Sequence, residues 1–214
     1  MQTITTPLPR EKIGEIKIYE NGEPLVTIPE SKKLVLLHEH KYLSPLLRTS
    51  VRDRLVQGAN SLPEGYKLLV VTAYRPITMQ QELYRNRLWQ MAKAYPFQMI
   101  FLHWKWKRMV RQYTAPPGGS SHQCGAAVDV TILDIENKRL DMGTSFNDFG
   151  EKVHTHSTLI SDEQKKNRAM LFELMTNVGF ANYPLEWWHY SYGDRMWAAY
   201  NEKERCFYGP LYEK

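Results

Sequence analysis

Apolar and polar positions along this chain change period several times, and each change marks an element. Leu47, Val51 and Leu55 repeat at helical spacing behind Ser44-Pro45, which reads as an N-cap followed by proline at the first helical position. The stretch GANSLPEG (58–65) ends that helix, and YKLLVVTAY (66–74) is a β-branched-rich run of strand length. Thr78 and Gln81 have capping-box spacing, Tyr84, Leu88 and Met91 continue a helical stripe, and a second helix is expected over about 96–112. TAPPGGSSH (114–122) reads as a loop, which AAVDVTIL (126–133) leaves as a strand. Ser161 and Gln164 open another helix, with Leu171, Leu174, Met175 and Val178 as its stripe and Gly179 as its stop. LEWWHYSY (185–192) is the last strand candidate. The pattern predicts an α+β domain, a sheet with several flanking helices, and leaves strand order open.

Composition narrows the class. A chain of 214 residues, 43% hydrophobic and 24% charged, suits one soluble globular domain spanning 1–214. No stretch approaches the roughly 18 apolar residues of a membrane span, and the N-terminus lacks a secretion-signal core, so a cytoplasmic protein is expected. Two cysteines, Cys124 and Cys206, argue against a disulfide scaffold and leave their pairing open. The net charge of +5 raises the question of an anionic partner, most of all at HWKWKRMVR (103–111). At helical spacing, however, Leu102, Trp106, Met109 and Tyr113 share one face and the bases largely another, as on a helix packed against a core. No nucleic-acid partner is expected, and oligomeric state is not legible.

The candidate chemistry lies around GGSSHQCGAAVDVTI (118–132). Alternation puts Val128, Val130 and Ile132 on one face of the strand and Ala127, Asp129 and Thr131 on the other, one face for core and one for a site. Gly125 and Ala127 leave room on the approach to Asp129. A buried carboxylate needs a cation, a metal or good donors, and His122 is the obvious companion. Imidazole plus carboxylate suits zinc, which in catalytic sites commonly takes three protein ligands. His189 is the best third candidate because Glu186, three residues earlier, could serve as a base. On a regular strand residues 186 and 189 would face opposite ways, so Glu186 must sit on a turn or bulge near Pro184. Taken singly, each piece also fits a surface histidine, an Asp–Arg pair or an edge strand.

Ser120-Ser121-His122-Gln123-Cys124-Gly125-Ala126-Ala127-Val128-Asp129 matches S-x-H-x-x-G-x-A-x-D, and Glu186-Trp187-Trp188-His189 matches E-x-W-H. Together they resemble the zinc D-alanyl-D-alanine dipeptidases, the VanX-like branch of peptidase family M15, related in fold to the hedgehog signalling domain. AYRP (73–76) and DMGTSF (141–146) look like two further blocks of that family, so the motif-bearing core runs from about 65 to 192. The resemblance implies a central, mainly antiparallel sheet flanked by helices. It also implies one zinc ion held by His122, Asp129 and His189, Glu186 as catalytic base, and Arg75 facing the scissile carbonyl, with Ser120 helping to hold the substrate.

One departure concerns specificity. After the Phe of the MGT-x-F block the dipeptidases generally carry an aspartate for the substrate amine, whereas this chain reads Phe146-Asn147-Asp148. Asn147 can accept a hydrogen bond without supplying charge; alternatively Asp148 takes over the role. Cys124 reads as a small buried thiol, and His38-Glu39-His40 and His154-Thr155-His156 as structural or surface residues. The expected function is hydrolysis of D-Ala-D-Ala, in cell-wall dipeptide turnover or glycopeptide resistance. The alternatives are a D,D-carboxypeptidase acting on peptidoglycan stem peptides and a noncatalytic zinc-binding interaction module.

Overall fold

The computed structural model describes residues 2, 4–38, 44–101, 115–146 and 148–212. In chain order its elements are α1 (Arg10–Glu15), β1 (Lys17–Ile18), β2 (Leu25–Thr27), β3 (Leu34–Leu36), β4 (Leu46–Arg48), α2 (Thr49–Ser61) and β5 (Lys67–Thr72). There follow α3 (Ile77–Ala94), α4 (Pro96–Phe101), β6 (Ala127–Leu133), α5 (Asp162–Asn177), β7 (Ala181–Asn182), β8 (His189–Ser191), α6 (Arg195–Tyr200) and β9 (Arg205–Cys206). Five strands make the central sheet in the order β3-β5-β6-β8-β7. The β3–β5 pairing is parallel and the other three are antiparallel, so the sheet is mainly antiparallel with helices against it, as expected. Among the described residues no helix is long and apolar enough to cross a membrane.

The alternation along β6 is realised in the packing. Val128, Val130 and Ile132 are fully buried in a core shared with Val51, Leu55 and Ala59 of α2 and with Leu171 and Met175 of α5. The opposite face carries Asp129 into a cleft. Helix α5 starts with the expected capping box, in which Ser161 Oγ accepts the Gln164 N–H while Gln164 Oε1 accepts the Ser161 N–H.

Three readings of the pattern are corrected. Ser44-Pro45 does not cap a helix: residues 46–48 form β4, paired antiparallel with β2, and the helix starts at Thr49. Leu47 is buried as a strand residue because the Leu25–Thr27 edge offers it backbone partners that a helix would forgo. Helix α3 begins at Ile77, directly after Pro76, without a side-chain cap, so Thr78 falls inside the first turn and forms no capping box. The last strand is only His189–Ser191, since residues 184–188 are spent on turns. Of the helix expected over 96–112, Pro96–Phe101 is helical, and HWKWKRMVR lies outside the described residues, as do Glu39 and His40.

The junction before β6 depends on Gly125. It closes the short 3-10 turn Ser121–Cys124 in the left-handed region, at φ +65°, and a Cβ there would collide with Leu25 Cδ2. Gly125→Ala is therefore expected to lower stability by about 2 kcal/mol or more. Urea unfolding measures this; an unchanged midpoint would mean that β2 yields without cost.

Candidate metal centre and cleft

Adjacent strands bring two distant residues into one place. Asp129 of β6 is the direct register partner of His189 of β8, so both side chains leave the same face of the sheet. His189 Nδ1 lies 2.9 Å from Asp129 Oδ1. His122 reaches the same point from the Ser121–Cys124 turn, its Nε2 3.3 Å from Asp129 Oδ1 and 3.2 Å from His189 Nδ1. One ligand atom from each residue lies within 4.8 Å of the others, and all three residues are buried.

The turn that carries His122 is tied down on every side. Its Nδ1–H donates to the Ala73 carbonyl at 2.8 Å, which leaves Nε2 to face the site. The His122 carbonyl accepts the Arg75 N–H at 3.1 Å, joining the turn to the end of β5. Arg48, buried under the turn, donates from Nε to the Cys124 carbonyl, and its backbone N–H donates to the Gly125 carbonyl. Gln123, fully buried, accepts the Gly118 N–H and donates to the Leu211 carbonyl, clamping the loop to the C-terminal segment.

Glu186 sits on a turn ahead of β8, as the spacing required. Its N–H donates to the Tyr183 carbonyl and its carbonyl accepts the His189 N–H, so Glu186 and His189 both line the cleft although three residues apart. Asn182 of β7 holds this turn, its Nδ2 donating to the carbonyls of Glu186 and His189 at 3.1 Å each. Beneath it Trp187 and Trp188 are buried edge to face, against Phe146.

Arg75 also lines the cleft, and its Nη1 donates to Gln80 Oε1 at 2.9 Å. Gln80 Nε2 donates in turn to the Ala115 carbonyl, so the amide cannot flip and the guanidinium is held in one orientation. Ser120 is buried at the cleft wall. Asn147 lies outside the described residues. Asp148 Oδ2 accepts the Ser145 N–H at 2.7 Å and borders a neighbouring shallow pocket. Cys124 is buried with a thiol whose pKa burial pushes well up, which agrees with a packing role. His154 and His156 belong to no metal-capable group of three among the described residues.

Neither Asn182 nor Gln80 stood out in the sequence, because each acts through carbonyls or an arginine that no spacing reveals. Arg10 of α1 and Arg87 of α3, which also line the cleft, carried no signal either.

The site's electrostatics suit a cation. Burial would raise the Asp129 carboxyl, yet the two imidazoles beside it outweigh this and hold the carboxyl well below its usual range. Burial lowers His122, with Arg75 adding to the effect against the pull of Asp129, which favours the neutral ligand form. Burial opposes protonation of His189 too, but its hydrogen bond to Asp129 and that carboxylate's charge raise its pKa. Burial pushes Glu186 up to about 7, with Asp129 adding to the rise and His189, Arg10 and Arg75 opposing it. Two imidazole nitrogens and one carboxylate oxygen converging on a point are a donor set that fits zinc, and a bound dication would draw Glu186 back toward the ionised form.

The family model described as D-ala-D-ala dipeptidase, Peptidase_M15, matches residues 46–209. The chain belongs to the Peptidase_M15 family. It is accordingly a metallopeptidase. The chain is 31% identical over 221 residues to the D-alanyl-D-alanine dipeptidase of Synechocystis sp. (strain ATCC 27184 / PCC 6803 / Kazusa), covering 88% of this chain and 90% of that one. It is 36% identical to the dipeptidase of Escherichia coli (strain K12) over 72 residues, covering 34% of this chain and 37% of that one. VanYB solved with D-alanine-D-alanine is more distant, at 21% identity and a TM-score of 0.45, covering 90% of this chain and 94% of that one.

The raised Glu186 has a consequence for the metal-free protein. The folded state keeps this proton up to about pH 7, whereas the unfolded chain releases it near 4.5. The favourable contribution is therefore complete below about pH 4.5 and is lost as pH rises through 7, a change of up to about 3 kcal/mol. In chelator, Glu186→Gln is expected to flatten the fall in urea stability between pH 5 and 8. Parallel profiles for variant and wild type would show that Glu186 ionises normally.

Proposed function

We propose that this chain is a zinc-dependent D,D-dipeptidase that hydrolyses D-Ala-D-Ala, in cell-wall dipeptide turnover or glycopeptide resistance. The observation that carries the reading is the convergence of His122, Asp129 and His189 in a cleft that Glu186 and Arg75 also line. Held by those three residues, zinc would polarise the scissile carbonyl and lower the pKa of water.

The chain's own groups supply the rest. Glu186 takes a proton from the water that attacks the carbonyl carbon and delivers it to the amine nitrogen as the C–N bond breaks, giving two molecules of D-alanine. General acid–base transfer of this kind contributes roughly 10²–10⁴-fold. Arg75, oriented by Gln80, meets the negative charge that develops on the carbonyl oxygen with a donor that needs no reorganisation. Ser120 and Asn147 help hold the dipeptide.

The D,D-carboxypeptidase reading keeps one observation in its favour. The cleft measures 1380 Å³, above the range of about 300–1,000 Å³ usual for small-molecule pockets, so a stem peptide has room.

Zinc-loaded wild type is expected to release amine from D-Ala-D-Ala and not from N-acetyl-D-Ala-D-Ala or L-Ala-L-Ala. Glu186→Ala should lose at least about 10²-fold in kcat while still binding one zinc per chain, and Asp129→Ala should lose tight zinc binding in a chelator competition. Cleavage of the acetylated peptide would move the assignment to carboxypeptidase. Zinc binding without hydrolysis of any D,D-peptide would favour the interaction module.

A further inference from the structure

The cleft contains a second arginine near the reacting groups that the chemistry above leaves without a task. Arg10 comes from α1, outside the residues that the family model matches. The N-terminal segment is laced onto the sheet and α6. Gln2 Nε2 donates to the Asn182 carbonyl, the Ile4 N–H to the Tyr200 carbonyl and the Leu8 N–H to Tyr200 Oη. These bonds bring Arg10 to the cleft wall, where it hydrogen-bonds Tyr183. The Tyr183 ring stands edge-on to His189, with centroids 6.2 Å apart. Arg10 thus lies on the His189 side of the site, whereas Arg75 is bound into the His122 side through its backbone N–H and Gln80.

Reaction chemistry says what belongs on the His189 side. The leaving amine must come within hydrogen-bond reach of Glu186 to receive its proton. In a C-terminal amino acid the carboxyl carbon lies only about 2.5 Å from that nitrogen, so the substrate carboxylate is carried into the same corner. There it meets the Glu186 carboxylate, a like charge that repels it unless a cation stands between or beside them. A guanidinium answers that need with two parallel N–H donors. Arg87 and Arg195 also line the cleft, but the Arg87 guanidinium is stacked 4.3 Å from the Phe149 ring centroid and Arg195 Nε donates to the Ile16 carbonyl.

We propose that Arg10, positioned by Tyr183, binds the C-terminal carboxylate of the leaving D-amino acid and selects substrates that end at that residue. The inference rests on the D,D-peptidase reading above. It applies equally to a dipeptide and to the end of a longer stem peptide, because both present the same carboxylate to the leaving side.

The test compares D-Ala-D-Ala with D-Ala-D-alaninamide, which lacks the charge, on zinc-loaded wild type, Arg10→Gln and Arg10→Lys. Arg10→Gln is expected to lower kcat/KM for D-Ala-D-Ala by about 10- to 100-fold, mainly through KM, and to change the amide by less than about threefold. Arg10→Lys should recover part of the loss. Calorimetry in a Glu186→Gln background gives a readout without turnover: Arg10→Gln should weaken binding of the free acid and leave the amide unaltered. Equal losses on both substrates would make Arg10 only a support for Tyr183 and overturn the proposal, as would no loss on either. If wild type cleaves the acid and amide equally well, the carboxylate subsite fails while the peptidase reading stands. If it cleaves neither and binds neither, the peptidase reading fails and takes the subsite with it.

Discussion

Asp129 faces His189 across the β6–β8 pairing, and the shape of the cleft follows from keeping that carboxylate ionised inside the protein. A lone buried charge is expensive, and here two imidazoles approach the same oxygen within 3.3 Å. The arrangement is self-consistent only if the histidines arrive at the correct angle, which is a demand on backbone rather than on side chains. One strand partner comes from sheet register. The other comes from a turn that ends at Gly125 in the left-handed region, at φ +65°, which strains any residue with a Cβ.

Polar side chains that bind carbonyl groups carry much of this backbone control. Arg48 holds the His122 turn, Asn182 holds the Glu186 turn, and Gln80 holds Arg75. Arg168 plays the same part further out. Buried on α5, it donates to the carbonyls of Met142, Lys152 and His154, which fixes the segment bearing Phe146 against Trp187 and Trp188. Burial lowers its pKa to about 10, and three carbonyl partners compensate for the water it gives up. Arg48 and Arg168 join segments far apart in sequence, Gln80 ties Arg75 to the Ala115 carbonyl, and Asn182 braces a turn only a few residues on, so the site is held where the chain locally is loop.

That division explains what could be read from the sequence. The alternation from Ala127 to Leu133 exposed both the core face and the Asp129 face, because a strand's period of two is a local property. The Glu186 turn was legible for the same reason, since two residues three apart cannot share one face of a strand. Local signals failed where a tertiary partner prevailed. Leu47 carried a helical spacing, but the β2 edge claimed residues 46–48 as a strand, and Pro76 started α3 without the Thr78–Gln81 box. Arg10 was illegible because its place in the cleft exists only across folded distances, and Gln80 and Asn182 because an amide that braces a neighbouring turn or arginine leaves no periodic signal.

The distribution of charge within the cleft separates the ends of a bound peptide. Of the arginines that line the cleft, Arg75 lies with His122 and Arg10 with Tyr183 and His189, so these two flank the metal ligands rather than cluster. A metallopeptidase that trims one residue needs the electron-rich oxygen of the scissile bond and the carboxylate beyond it, about one residue further along, to be held separately. One cation cannot serve both without pulling the peptide out of line with the attacking water. Two arginines from different parts of the chain, one following β5 and one carried in by the N-terminal segment, meet that geometric requirement. At the amine end the sequence carries Asn147 where a charge would favour a free ammonium, and Asp148 is turned toward the Ser145 N–H, so on the dipeptidase reading the amine is met by hydrogen-bond acceptors rather than by an ion pair.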